Sequence, residues 1–278
     1  MVRLKLTLAY HGAEFHGWQA QEDEAGTRAV QTEVERAAAR LLGRPGELVR
    51  VHGAGRTDAG VHALGQVAHL DVPAAKAALP WRRGLNALLP PDVAVVRAET
   101  APDGFHARFG ATSKIYAYTL WLARDFVLPQ RRPFVWPVGR LDLDRLDEAG
   151  ALFPGEHDFS AFQNAGTPVK SPVRRMFALW REPGQTPEET VLRLHADGFL
   201  KQMVRNIVGC LVGVGLGKLG PDAVRRLLAG ASRAQAPATA PARGLCLERV
   251  FYGDEAERAG SPGRPAGFGV DAPSEVIP

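Results

Sequence analysis

Asp58 lies two residues after Arg56 in the run Gly53-Ala54-Gly55-Arg56-Thr57-Asp58-Ala59-Gly60-Val61-His62. Glycine reaches backbone angles that other residues resist, so such a turn can present a carboxylate and a guanidinium together at a cleft. The plainer reading of one Asp in a glycine-rich turn is an Asx-turn hydrogen bond. Company argues for more, because His52 and His62 flank the same turn and a structural turn needs none of this polar chemistry. A metal site built from His52, Asp58 and His62 lacks a fourth ligand and the close ligand pairs that zinc sites use. A hydrolase using Asp58 with either histidine as base is a further alternative, but hydrolysis calls for a second carboxylate to activate water, and the run offers none.

Two other places carry chemistry. In Lys114-Ile115-Tyr116-Ala117-Tyr118 the period-two rule puts Lys114, Tyr116 and Tyr118 on one strand face, where aromatics and a cation could stack on and steer a nucleobase. An ordinary sheet face with wet hydroxyls is the alternative. Arg205 sits beside Met203 and Ile207 within an otherwise apolar helical stretch. A guanidinium buried there needs a carboxylate or phosphate partner, and Asp58 is the expected one, which Arg205 would hold ionised.

The elements that must position these groups follow from hydrophobic periodicity. Strict alternation over Val2 to Tyr10 predicts a half-buried strand. Val30, Val34, Ala37, Ala38, Leu41 and Leu42 fall at helical spacing between a candidate N-cap, Thr27, and a stop at Gly43. Strands at Leu48 to His52 and Gly65 to Val72, a helix from Trp81 to Leu89 and a strand at Val93 to Ala98 complete a βαββαβ order. The second half repeats the plan: a strand from Thr112 to Leu122, a helix from Asp142 to Phe153, and strands at Val173 to Arg181 and Val191 to Ala196. A long helix carrying Phe199, Met203, Ile207, Val208 and Leu211 follows, then a shorter one after Pro221 and a strand at Leu245 to Tyr252. No repeated sequence accompanies this repeated pattern. Arg233 to Pro241 reads as a loop, and the residues after about Glu255 as a disordered tail.

Composition gives these elements a scaffold and narrows the setting. With 278 residues, 45% of them hydrophobic, the chain can bury a substantial core, and two domains of ordinary size are expected. A net charge of +4 permits a nucleic-acid partner. Cys210 and Cys246 show no CxxC spacing, so neither a disulfide framework nor a zinc site is indicated. The chain opens with no export signal and contains no membrane-length apolar run, so a cytoplasmic protein without membrane contact is expected.

The run Gly53 to Ala63 resembles the catalytic motif of the TruA family of tRNA pseudouridine synthases. The resemblance extends to about residue 253 through His16-Gly17-Trp18-Gln19, Phe105-His106-Ala107-Arg108-Phe109, Lys114 to Tyr118, His157-Asp158-Phe159-Ser160-Ala161-Phe162, Phe199 to Gly209 and Gly244-Leu245-Cys246-Leu247. It implies an α+β pseudouridine synthase fold: two duplicated ferredoxin-like halves, 1–105 and 106–254, joined in a mixed, largely antiparallel sheet with a central RNA-binding cleft. It further implies a homodimer that isomerises uridine to pseudouridine at positions 38 to 40 of the tRNA anticodon arm, with no metal or cofactor. Carried onto this sequence, it makes Asp58 the essential carboxylate, acting by C1′ addition or through a glycal. Arg56 becomes the wedge that enters the stem when the base flips, Tyr116 the ring that stacks on that base and could help remove its C5 proton, Arg205 the partner of Asp58, and Leu245 an apolar wall. Arg28, Arg108, Arg131, Arg132, Arg174 and Arg175 are candidates for phosphate contacts, each with a solvated surface role as the alternative. A non-catalytic RNA-binding or tRNA chaperone protein on the same fold is the rival, but binding alone needs no nucleophile.

Overall fold

In a computed structural model the described residues are 1–19, 27–164, 166, 169–230 and 237–253. They form five α-helices and ten strands: β1 (Val2–Tyr10), α1 (Val30–Leu41), β2 (His52–Gly53), β3 (His62–Val72), α2 (Trp81–Asn86), β4 (Val93–Thr100), β5 (Ala111–Trp121), β6 (Trp136–Pro137), α3 (Leu143–Gly150), β7 (Gly155–Asp158), β8 (Val173–Pro183), β9 (Glu189–Ala196), α4 (Met203–Gly215), α5 (Pro221–Leu228) and β10 (Leu245–Tyr252). Among these residues no helix is long and apolar enough to cross a membrane.

One mixed sheet runs in the order β4-β1-β3-β10-β5-β9-β8-β7, with β2 on β3 and β6 on β5. Pairing is antiparallel except between β3 and β10 and between β5 and β6. The first half orders its strands 4-1-3-2, and the second repeats that order with β10, β5, β9 and β8. Duplication is therefore visible in topology although no sequence repeat announces it. Alternation in β1 works as expected: Leu4, Leu6, Leu8 and Tyr10 are buried and the intervening residues half-buried. Helix α4 buries twelve of its thirteen residues, which is why its sequence is apolar except at Arg205 and at Asn206, whose amide donates to the Phe162 carbonyl at 2.7 Å.

Several boundaries differ from the sequence reading. The strand expected at 48–52 shrinks to His52–Gly53, because side chains of α1 take up the backbone of Val51. Glu35 accepts its N–H at 2.9 Å and the Gln31 amide donates to its carbonyl at 3.1 Å. Ala29, not Thr27, is the N-cap of α1, in an extended conformation with no side-chain cap. Asp142 caps α3 from outside by accepting the Arg145 N–H at 3.1 Å. Helix α2 ends at Asn86, whose side chain bonds both backbone groups of Val95 on β4. Phe199 precedes α4, which starts at Met203 after Gln202 in the left-handed conformation (φ 61°). The short strands β6 and β7 escaped the periodicity reading, being too brief to show a period. Residues 233–236 of the expected loop and the tail from 255 lie outside the described residues, whereas 237–241 is extended chain docked on α4.

Candidate active site

The parallel pairing of β3 with β10 assembles the site. His62 and Ala63 lie opposite Cys246 and Leu247, so the segments that enter the two strands arrive at the same end of the sheet. One is the glycine-rich turn; the other is 237–244. They touch where a Cβ on Gly60 would sit 3.2 Å from the Ala242 Cβ. Gly60 is also the one glycine of the turn with positive φ (78°). Gly53 is needed for a different reason: the Trp18 indole lies 2.5 Å from where its Cβ would be.

The turn is held on every side. Trp18 N–H donates to the Thr57 carbonyl at 3.1 Å, Gly60 N–H to the Phe15 carbonyl at 3.2 Å, and Val61 N–H to the Asp58 carbonyl at 3.2 Å. The Tyr10 and Thr57 hydroxyls bond at 2.9 Å, the Gln66 amide donates to the Gly55 carbonyl at 2.8 Å, and Lys114 Nζ donates to the Ala54 carbonyl at 3.1 Å. Burial and the charge of Arg108 pull the Lys114 ammonium down to about 8.

Arg205 reaches this turn across 147 residues of sequence. Its Nη1 donates to Asp58 Oδ2 at 3.1 Å and its Nε to the Ala240 carbonyl at 2.7 Å, while Ala240 N–H donates back to the Arg205 carbonyl at 3.1 Å. The strap 237–241 thus fixes the guanidinium that holds the carboxylate. The pair is partly open: the Asp58 side chain is 28% exposed and that of Arg205 15%. The carboxylate is therefore reachable from solvent.

Lys114, Tyr116 and Tyr118 share a face, as the period-two rule requires, but they have three different partners. Tyr118 is fully buried and donates to the Pro241 carbonyl at 2.7 Å, so it braces the strap. Tyr116 packs edge-on against Phe199 at 5.1 Å and 82°. Burial first, then the charges of Tyr10 and Asp58, push its phenol far above the ordinary value. A phenol held protonated is a poor base and a good hydrogen-bond donor. Opposite pairing of Leu247 with Tyr116 and Leu245 with Tyr118 places Leu245 on the same sheet face as Tyr116, one step along the diagonal. Arg56 is exposed and makes no ion pair among the described residues. Tyr10, Gln66, Trp18 and Phe199 were missed as site residues because each looked like ordinary core or strand. Only the proximity of the turn gives them a role.

The two flanking histidines leave the site. His62 accepts the Gly12 N–H at Nδ1 (3.0 Å) and faces the Pro133 carbonyl with Nε2 (2.9 Å), which fixes a neutral tautomer; burial lowers its pKa. His52 packs on His69 at 4.9 Å. Neither ring hydrogen-bonds Asp58 among the described residues, so a histidine base beside that carboxylate has no geometric support. Among those residues no three His, Cys, Asp or Glu side chains converge as metal ligands. Of the candidate phosphate contacts, Arg28 is bound in fork geometry to Asp92 (2.9 and 3.1 Å) and Arg131 to Glu189, while Arg174 donates to the Ser171 and Val173 carbonyls. Arg108 has no ion pair among the described residues.

A family model described as tRNA pseudouridine synthase matches residues 7–110 and 149–253, and so covers the turn, α4 and β10. The chain belongs to the tRNA pseudouridine synthase family. It is 56% identical over 266 residues to a tRNA pseudouridine synthase A of Solidesulfovibrio magneticus, covering 95% of each chain. It is 52% identical to the protein of the same description from Maridesulfovibrio salexigens (91% of this chain, 92% of that one) and 42% identical to that of Bacillus subtilis (90% and 99%). Membership makes the chain an isomerase of the pseudouridine synthase class on an α+β pseudouridine synthase fold.

Proposed function

We propose that this chain converts uridine to pseudouridine at positions 38, 39 and 40 in the anticodon arm of tRNA, with Asp58 as the reacting carboxylate. The observation that carries the reading is the Asp58–Arg205 pair, joined at 3.1 Å and partly open to solvent, within a chain that matches the family on both sides of it. The reaction breaks the C1′–N1 bond, turns the uracil and forms a C1′–C5 bond; C5 loses a proton and N1 gains one, so mass is unchanged. Asp58 acts on the ribose, by addition at C1′ or by taking a sugar proton, and both routes need an ionised carboxylate. Tyr116 stacks on the flipped base and, held protonated, donates to one of its carbonyls. Leu245 and Phe199 keep water from the detached base. Exposed Arg56 fills the space the base vacates in the stem.

We further propose that halves 1–105 and 106–254 form the two walls of the RNA cleft. The division falls between β4 and β5, and β10 of the second half joins β3 of the first. The family resemblance extends the proposal to a homodimer, for which sedimentation at working concentration is the check. The reaction is tested with tRNA carrying tritium at uridine C5. Wild type releases tritium without releasing uracil, and Asp58→Ala releases none. Free uracil from the wild type, or undiminished tritium release by the variant, would contradict the reading.

A further inference from the structure

The segment Phe105-His106-Ala107-Arg108-Phe109 plays no part in the chemistry above, yet it is built with care. Phe105 packs against the core and meets Tyr252 at 4.9 Å, whereas Phe109, four residues on, is 78% exposed. An exposed phenyl ring is normal in isolation, but this one is held. His106 accepts the N–H groups of both Arg108 and Phe109 at Nδ1 (3.1 and 3.2 Å), and Gly110 N–H donates to the His106 carbonyl at 2.9 Å. The His106 ring backs the Phe109 ring at 4.4 Å and 33° and is itself packed on His69 at 4.5 Å. The Arg108 guanidinium stands 5.7 Å from the Phe109 centroid. Phe109 is thus supported by a chain of rings reaching the core while most of its surface stays open to solvent.

Its surroundings say what it faces. His52, the residue that opens the nucleophile turn, lies 5.9 Å from His106. Lys114, bonded to the Ala54 carbonyl of that turn, feels the charge of Arg108. Arg108 beside the ring, Lys114 at 3.0 Å from the Gly55 Cβ position and the exposed Arg56 that follows Gly55 have no acidic partner among the described residues. An exposed aromatic ring with cationic side chains beside it fits a base on a polyanionic backbone, and an unpaired base offers the π-face that such a ring accepts.

We propose that Phe109 is a stacking platform for an unpaired base of the substrate RNA outside the reacting nucleotide, with His106 as the residue that positions it. The proposal rests on the reading of this chain as an RNA-modifying enzyme. The test compares wild type with Phe109→Ala, Phe109→Leu and Phe109→Trp, measuring the Kd for an unmodified tRNA transcript and, separately, kcat and KM for pseudouridine formation. Phe109→Ala should weaken Kd and raise KM by about 5- to 150-fold, the range for losing one base–aromatic stack. Its kcat should stay within about twofold, and its thermal midpoint should not change because the ring is outside the core. Phe109→Trp should keep tight binding and Phe109→Leu should not. Phe109→Ala binding as tightly as wild type, or Phe109→Leu binding as tightly as Phe109→Trp, would overturn the platform. Binding is read apart from product, so a wild type that binds tRNA but forms no pseudouridine contradicts the catalytic reading and leaves the Kd comparison to decide this one.

Discussion

Replacing Arg205 with alanine removes two hydrogen bonds of different kinds: a charge-assisted one to Asp58 at 3.1 Å and one to the Ala240 carbonyl at 2.7 Å. A fully buried pair broken on one side costs roughly 3–5 kcal/mol and an exposed pair about 0–1 kcal/mol. With side chains 15% and 28% exposed the pair lies between these limits. Water can reach the orphaned Asp58 carboxylate, so the loss from the pair is about 1–2 kcal/mol, and the Ala240 bond adds about 1 kcal/mol. A total of about 2–3 kcal/mol shifts the thermal midpoint down by roughly 4–12 °C for a domain of this size. Activity should fall further than stability, by roughly 100-fold or more in kcat/KM, because the carboxylate loses the group that fixes its position. Arg205→Lys should recover part of the stability but little activity, since an ammonium cannot hold Asp58 and Ala240 in one planar fork. Urea unfolding and single-turnover pseudouridine formation supply both numbers. An Arg205→Ala protein with wild-type midpoint and wild-type turnover would refute the argument that this pair organises the site.

Gly17→Ala should destabilise by about 2–4 kcal/mol, because Gly17 has φ +101° and an added Cβ would meet the Thr57 carbonyl at 2.4 Å. The displaced Thr57 should also lower turnover of the folded fraction, and a variant that unfolds at the wild-type urea midpoint would contradict the packing of 15–18 on the turn. A pH effect follows from His69, which accepts the Ala107 N–H at 3.2 Å and is pulled from 6.5 to about 4, chiefly by burial and then by the positive charge of Arg3. Its folded-state pKa is below the unfolded one, so the unfolded chain binds the extra proton between these values. Stability is full above pH 6.5 and falls as pH drops toward 4, by up to about 3 kcal/mol from this group. Urea midpoints at pH 7.5 and 4.5 should converge in His69→Gln relative to wild type, and an unchanged pH slope would remove His69 as the cause.

Much of the site was legible because its signals are local. A glycine-rich turn with Arg56 and Asp58, a strand alternating Lys114, Tyr116 and Tyr118, and a lone guanidinium in an apolar helix all show in short windows of sequence. The pairing of Asp58 with Arg205 was expected from charge alone, since a half-buried arginine needs a partner. What brings the two together was not legible. It depends on β10 running parallel to β3, a pairing of only two registered residue pairs set by the whole topology. The fate of His52 and His62 was hidden for the same reason, as Gly12, Pro133 and His69, which occupy their rings, are distant in sequence. The lost strand at 48–51 marks a competition that periodicity does not register: Glu35 and Gln31 satisfy Val51 from a helix before any strand can. Two glycines of the turn are needed for different reasons, positive φ at Gly60 but close packing at Gly53, and sequence does not distinguish these.

The central claim is that Asp58, held by Arg205, isomerises uridines in the anticodon arm. Its most direct test is position-resolved mapping of pseudouridine in unmodified tRNA after incubation with wild type or with Asp58→Asn, which keeps the size of the side chain and removes its charge. The account predicts pseudouridine at positions 38, 39 and 40 where uridine occurs with wild type, and none with the variant although it still binds the tRNA. Product elsewhere in the tRNA, or the same three-position product from Asp58→Asn, would contradict it.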